Sequence, residues 1–337
     1  MTSLGTALTD LLSIRYPILL APMGAVAGGR LAAAVTRAGG LGFIGPGYHD
    51  AAWVEHEFDA AGVERVGVGF ITWDLEKDPS RLDSALARSP AAVMLSFGDP
   101  APFVDAIRRA GAKLVLQVQT VKAAKDAAKL GADVVVAQGT EAGGHGADRS
   151  LFALLPAVVD AVSPIPVVAA GGIADGRGLA AALVLGACGV LVGTRFYAAE
   201  ESLGHASAKS LLVQSSGDAT LRTRVFDIVR GLDWPKPYKA RAIQNEFTRA
   251  WHGRESDLER HPEERERYAQ AAKAGDFDTA VVWSGEGVDL ITETAPAHRI
   301  VESMVLEARD SLNRLLAGTI RGRDAAPNPV QRPIRKS

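Results

Sequence analysis

The chain has 337 residues, 37 basic and 39 acidic side chains, a formal charge of −2 and a hydrophobic content of 47%. That length can bury one barrel-sized core plus an addition, and the near-even charge gives no electrostatic reason to expect nucleic acid or an anionic membrane as partner. The lone cysteine, Cys188, excludes an internal disulfide and reads as a small buried hydrophobe. With no signal-like leader and no apolar run of the roughly 18–20 residues needed to span a bilayer, a cytoplasmic location is expected.

Eight short runs rich in Val, Ile and Leu read as strands: Ile18–Met23, Leu41–Gly45, Arg65–Ile71, Ala91–Phe97, Lys113–Val118, Val134–Gly139, Pro166–Gly171 and Gly189–Phe196. Their near-continuous apolar content suits parallel strands buried on both faces. Helical patterns lie between them, such as Leu31–Ala38, Pro102–Ala110 and Val121–Leu130, closed by Gly39, Gly111 and Gly131. This alternation predicts an α/β fold, a (β/α)8 barrel over residues 1–200. An open doubly wound sheet is the rival, but no glycine fingerprint follows the first strand.

Past Phe196 the composition turns to Arg, Glu, Lys and aromatics with few strand signals. Residues 201–294 are therefore expected to form a smaller helical domain over the barrel mouth. Trp234, Tyr238, Phe247, Trp251 and Tyr268 are expected to pack it. An apolar stripe from Ile300 to Leu316 predicts an amphipathic helix, within 295–320, that packs back on the barrel. The basic, proline-containing segment 323–337 is expected to be disordered.

Active sites of such barrels sit at the carboxyl ends of the strands. Two late strands end in Gly171-Gly172 and Gly193-Thr194, where backbone N–H groups lie bare for a phosphate. The sixth ends in Gln138-Gly-Thr-Glu-Ala-Gly-Gly-His-Gly146. His145 in that glycine-rich loop is expected to be exposed, with an ordinary imidazole pKa, as a general base or anion-binding group. Ala21-Pro-Met-Gly24 ends the first strand and can lay the Met23 backbone against a flat ring. Ser96, Phe97, Gln117 and Gln119 add to the rim, and His49 is a weaker candidate for it. Asp74 and Glu76 read as loop surface. The histidines show no metal-ligand spacing, so no metal is expected.

Taken together, Ala21-Pro-Met-Gly24, Ala38-Gly-Gly-Leu-Gly42, Ala137–Gly146, Ala169-Ala-Gly-Gly-Ile-Ala-Asp-Gly176, Gly193-Thr-Arg-Phe196 and Val282-Trp-Ser-Gly-Glu-Gly287 resemble the nitronate monooxygenase family, formerly called 2-nitropropane dioxygenases. The resemblance implies a TIM barrel with FMN at its mouth and a helical domain above. It implies that Met23, with Pro22 and Gly24 beside it, contacts the flavin ring. Gly171, Gly172, Gly193 and Thr194 would hold the phosphate, with Ile173 in the same set. Gln138, Ala142, Gly143 and Gly144 would line the cofactor, and His145 would match the catalytic histidine. One position departs from the family: Gly69 stands where many members carry Asn. The activity implied is oxidation of alkyl nitronates, and of nitroalkanes, by O2 to a carbonyl compound and nitrite. Members that share the cradle leave an alternative, an NAD(P)H-dependent reductase of quinones or enoyl thioesters. A flavin-storing barrel and a flavin-free barrel for sugar phosphates are further readings. Oligomeric state is left open.

Overall fold

A computed structural model, which describes residues 4–317, places eight parallel strands in a closed barrel. They are β1 (Ile18–Leu20), β2 (Leu41–Ile44), β3 (Gly67–Ile71), β4 (Ala92–Ser96), β5 (Lys113–Val118), β6 (Val134–Gln138), β8 (Val167–Ala170) and β9 (Gly189–Val192). The last closes on the first through Leu19↔Leu191. Alternation divides the side chains. Leu19, Phe43, Met94, Val115, Val136, Val168 and Leu191 fill the barrel centre, whereas Ile18, Leu20, Ile44, Val93, Leu116 and Val135 pack under the surrounding helices. The N-terminal helix Ala7–Leu12 is started by a Thr6–Thr9 capping box and adds Leu8, Leu11 and Leu12 to the central cluster. It approaches β9 so closely that a Cβ at Gly189 would lie 2.5 Å from Leu8 Cδ2. This end of the barrel is filled.

The first and last barrel strands stop three and four residues earlier than the sequence suggests, at Leu20 and Val192. The ladder of β1 ends with the Ala21 N–H bonded to Val192 O at 2.9 Å, because Pro22 has no N–H to continue it. The ladder of β9 ends at Val192, where Gly193 turns the chain into a short helix, Thr194–Tyr197.

Residues 201–294 are not wholly helical. They contribute β10 (Thr220–Thr223) and β11 (Lys239–Ile243), which pair antiparallel, and β11 pairs with β7 (Gly144–Gly146) from the loop after β6. The strand signal is faint for physical reasons. Thr-Leu-Arg-Thr and Lys-Ala-Arg-Ala-Ile carry arginines whose partners are distant in sequence, and Gly-His-Gly has almost no β propensity. The core here joins Val225, Phe226, Phe247, Leu258 and Tyr268, with Trp251 at its edge. Trp234 and Tyr238 instead stand against Phe97 at the barrel mouth.

Helix Ala297–Leu316 buries Ile300, Val301, Met304, Val305 and Ala308 against helices Gly176–Val184 and Gly29–Arg37. The end of the expected 295–320 segment and the expected tail at 323–337 lie outside the described residues. Among the described residues no helix is long and apolar enough to cross a membrane.

Candidate active site

The loop directly after β6, residues 139–143, is neither helix nor strand, so the barrel ladder does not satisfy the carbonyls of Thr140 and Ala142. Two arginines of the small sheet do so instead. Arg222 Nη2 donates to Thr140 O at 2.8 Å and to Ala142 O at 3.3 Å, while its Nη1 donates to Lys239 O at 2.7 Å and Gly144 O at 3.4 Å. Arg241 Nε donates to Thr140 O at 3.1 Å, and its guanidinium pairs with Glu286 at 2.8 Å. Burial, together with the neighbouring Arg241 charge, pushes the Arg222 pKa down to about 10. It therefore keeps its charge near neutral pH. The backbone of His145 is held from both sides, by the β7 register with Ala240 and by Gln138 Nε2, which donates to His145 O at 2.9 Å. Gln138 Oε1 in turn accepts from Gln119 Nε2 at 2.8 Å and Gln117 Nε2 at 3.3 Å.

The expectation of an exposed histidine is corrected. The His145 side chain is 9% exposed, and its Nε2 lies 2.9 and 3.1 Å from the two carboxylate oxygens of Asp227, itself 1% exposed. Its ring stacks on Trp234 with centroids 3.3 Å apart and planes 5° from parallel. Desolvation lowers the imidazole pKa, opposed by the hydrogen bond and charge of Asp227. Trp234 is fixed as well: its Nε1 donates to the Tyr48 hydroxyl at 2.8 Å, and Phe97 and Trp73 meet it edge-on. Burial raises the Tyr48 phenol far above its ordinary range, so it stays neutral. Phe97 adopts φ +65°, a strained setting for a bulky residue and one found most often where function fixes the backbone.

The open end of the barrel holds a cavity of about 440 Å³. The structure brings His145 and every residue expected to hold the cofactor to its wall. Pro22, Met23 and Gly24 come from the end of β1, and Gln138, Ala142, Gly143, Gly144 and His145 from the loop after β6. Gly171, Gly172 and Ile173 follow β8, and Gly193 and Thr194 follow β9. His49, Ser96, Phe97 and Gln117 also line it, but Gln119 acts from behind through Gln138. Asp74, expected on the surface, is buried and bonded to Arg81 Nη1 at 2.8 Å, leaving Glu76 exposed. Cys188 is partly buried beside the central cluster.

One end of the cavity is built of bare backbone. Gly171 and Gly172 have φ of +115° and +68°, a conformation that side-chain-bearing residues rarely adopt. The helical turn from Gly193 begins with amides that have no intrahelical partner, which suits a phosphate. The Val282–Gly287 segment closes over this end. Gly285 N–H donates to Thr194 Oγ1 at 3.0 Å, and a Cβ at Gly143 would lie 2.7 Å from Gly285 N. The departure at position 69 has a steric cause, because a Cβ there would sit 2.3 Å from Pro22 Cγ.

Asp227, Trp234, Tyr48, Trp283, Arg222 and Arg230 were not legible as site residues. Tyr48, Trp234, Trp283 and Arg230 line the cavity, Asp227 reaches it through His145, and Arg222 holds the loop. All but Tyr48 come from the region without a motif of known spacing, Trp283 excepted, whose Trp-Ser-Gly-Glu-Gly context was the available signal. Among the described residues no group of three or more His, Cys, Asp or Glu is placed to hold a metal ion.

Comparison with known proteins follows the same pattern. The family model for nitronate monooxygenase matches residues 5–66 and 62–307. A nitronate monooxygenase from Neurospora crassa is 32% identical, covering 89% of this chain and 91% of its own. FabK from Thermotoga maritima superposes with a TM-score of 0.82 at 30% identity, over 93% of this chain and 99% of its own. Nitroalkane oxidase from Streptomyces ansochromogenes superposes at 0.77 and 31% identity, over 92% and 100%.

Proposed function

The chain belongs to the nitronate monooxygenase family of flavin-dependent oxidoreductases, and from that premise we propose that it binds FMN at the barrel mouth and oxidises alkyl nitronates with O2. Neutral nitroalkanes would be substrates too, and the products would be a carbonyl compound and nitrite. The observation that carries the reading is the juxtaposition within one cavity of bare backbone at Gly171–Gly172 and Gly193–Thr194 with the buried imidazole of His145.

The residues fit such a cofactor. A phosphate has the unshielded amides of the two glycine turns, and a flat ring has the Met23 backbone and the apolar floor of Met94 and Leu191. Bound there, the flavin supplies the two-electron chemistry that the side chains cannot. The chain's own groups position the substrate. His145 would take the α-proton of a neutral nitroalkane, and Trp234, Phe97 and Tyr48 would shield the reacting atoms from water.

The likeness to FabK fits a second reading, in which the same flavin is reduced by NAD(P)H for a quinone or enoyl thioester. Anaerobic mixing separates the two. Propyl-2-nitronate is expected to bleach the flavin absorbance within the time of a turnover, while NADH leaves it standing. Bleaching by NADH alone would favour the reductase.

A further inference from the structure

We propose that Asp227 is the positioning residue of this site: it holds the proton of His145 on Nε2 and thereby leaves Nδ1 as the nitrogen that meets the substrate. The proposal rests on the reading of His145 given above. A carboxylate has only acceptors, so an imidazole nitrogen 2.9 and 3.1 Å from both its oxygens must be the N–H donor. In the neutral ring the other nitrogen then carries the lone pair. Nδ1 has no hydrogen-bond partner among the described residues, and His145 lines the cavity.

The carboxylate is held stiffly. It projects from the helix Val225–Arg230, whose Val225, Phe226 and Val229 are locked into the core with Phe247, Leu258 and Tyr268. Two constraints thus act on the imidazole. Trp234 sets the plane of the ring by stacking, and Asp227 sets its rotation within that plane. The charged groups acting on the ring are Asp227 and Arg230 from this helix and Arg222 from β10, while Trp234, Phe97 and Trp283 pack on it without charge. Of these, Asp227 alone favours the imidazolium.

The consequence is a step that only one class of substrate needs. With a neutral nitroalkane, the Nδ1 lone pair takes the α-proton and the C–H bond breaks. The freed electron pair forms the C=N bond of the nitronate, and an N=O pair moves onto oxygen. The ring is left as an imidazolium whose charge faces Asp227. A preformed nitronate has already lost that proton, so its oxidation bypasses the step.

The test compares flavin-loaded wild type, Asp227→Asn and Asp227→Glu on nitroethane and on ethyl nitronate. It adds 15N-edited NMR of the imidazoles in the flavin-free protein, with His145 identified by its loss in His145→Asn. Asp227→Asn is expected to lower nitroethane turnover about 10²-fold or more while ethyl nitronate stays within about threefold. The acid limb of kcat/KM on nitroethane is expected to move to lower pH, because a base that has lost its carboxylate is protonated only in more acid solution. Asp227→Glu restores part of the rate. The NMR is expected to show Nε2 protonated and Nδ1 bare in wild type, and a lower titration of His145 in Asp227→Asn. Equal losses on both substrates, or a wild-type ring protonated on Nδ1, would overturn the proposal. If wild type oxidises neither substrate the functional reading fails, and the NMR still decides the role of Asp227.

Discussion

Replacing His145 by asparagine is expected to lower nitroalkane turnover by about 10²–10⁴-fold, the usual contribution of a positioned general base. Flavin content should be unchanged. The imidazole is held by a backbone register with Ala240, by the Trp234 stack and by Asp227, so an amide of similar width can occupy the site without releasing the loop. What the amide lacks is a nitrogen lone pair to receive a proton. Loss of neutral-nitroalkane turnover by less than about threefold, measured per bound flavin, would remove His145 from the chemistry.

The second large effect concerns the cradle. Gly171→Val is expected to strip the flavin from an otherwise folded barrel. Gly171 has φ +115°, and a Cβ there would lie 3.1 Å from both Ala142 N and Gly139 O. A β-branched residue cannot adopt that angle without strain of roughly 1–3 kcal/mol, so the turn must rearrange and its amides turn away from the phosphate. The barrel strands pack independently of this turn through Leu19, Val168 and Leu191. The measurement is flavin absorbance per protein after dialysis, with far-ultraviolet circular dichroism as the check on folding. The expected result is flavin reduced to less than about a tenth of wild type, an order of magnitude that strain of this size can produce. Full retention of flavin by a folded variant would show that the phosphate is held elsewhere.

How much of this was legible in the sequence follows from where each signal originates. The barrel was legible because each strand is a local apolar run, as in Val134-Val-Val-Ala or Val167-Val-Ala-Ala, bounded by turn residues. The glycine tips were legible because bare backbone is written in the residue type itself. The small sheet was hidden because Arg222 and Arg241 read as solvent-facing charges, yet their partners are carbonyls of residues 140–144, about eighty to a hundred positions away. The environment of His145 was hidden for the same reason. Asp227 lies in Val-Phe-Asp-Ile-Val-Arg and Trp234 in a proline-flanked turn, and neither segment shows locally that it will close over a histidine from another part of the chain. The substitution at position 69 was legible as a departure. Its cause, the ring of Pro22 occupying the space of a Cβ, required the packing of the residues after β1 against Gly69 of β3 to be seen.

The proposed function rests on one physical claim: the barrel mouth would grip a flavin phosphate through bare backbone, with the imidazole of His145 over the ring. Titration of the flavin-free protein with FMN, followed by visible absorbance and by Trp fluorescence, tests that claim most directly. The expected result is a saturable yellow complex of one FMN per chain, with Trp fluorescence quenched because Trp234 and Trp283 line the same cavity. A protein that stays colourless after dialysis from excess FMN, with Trp fluorescence unchanged, would contradict it.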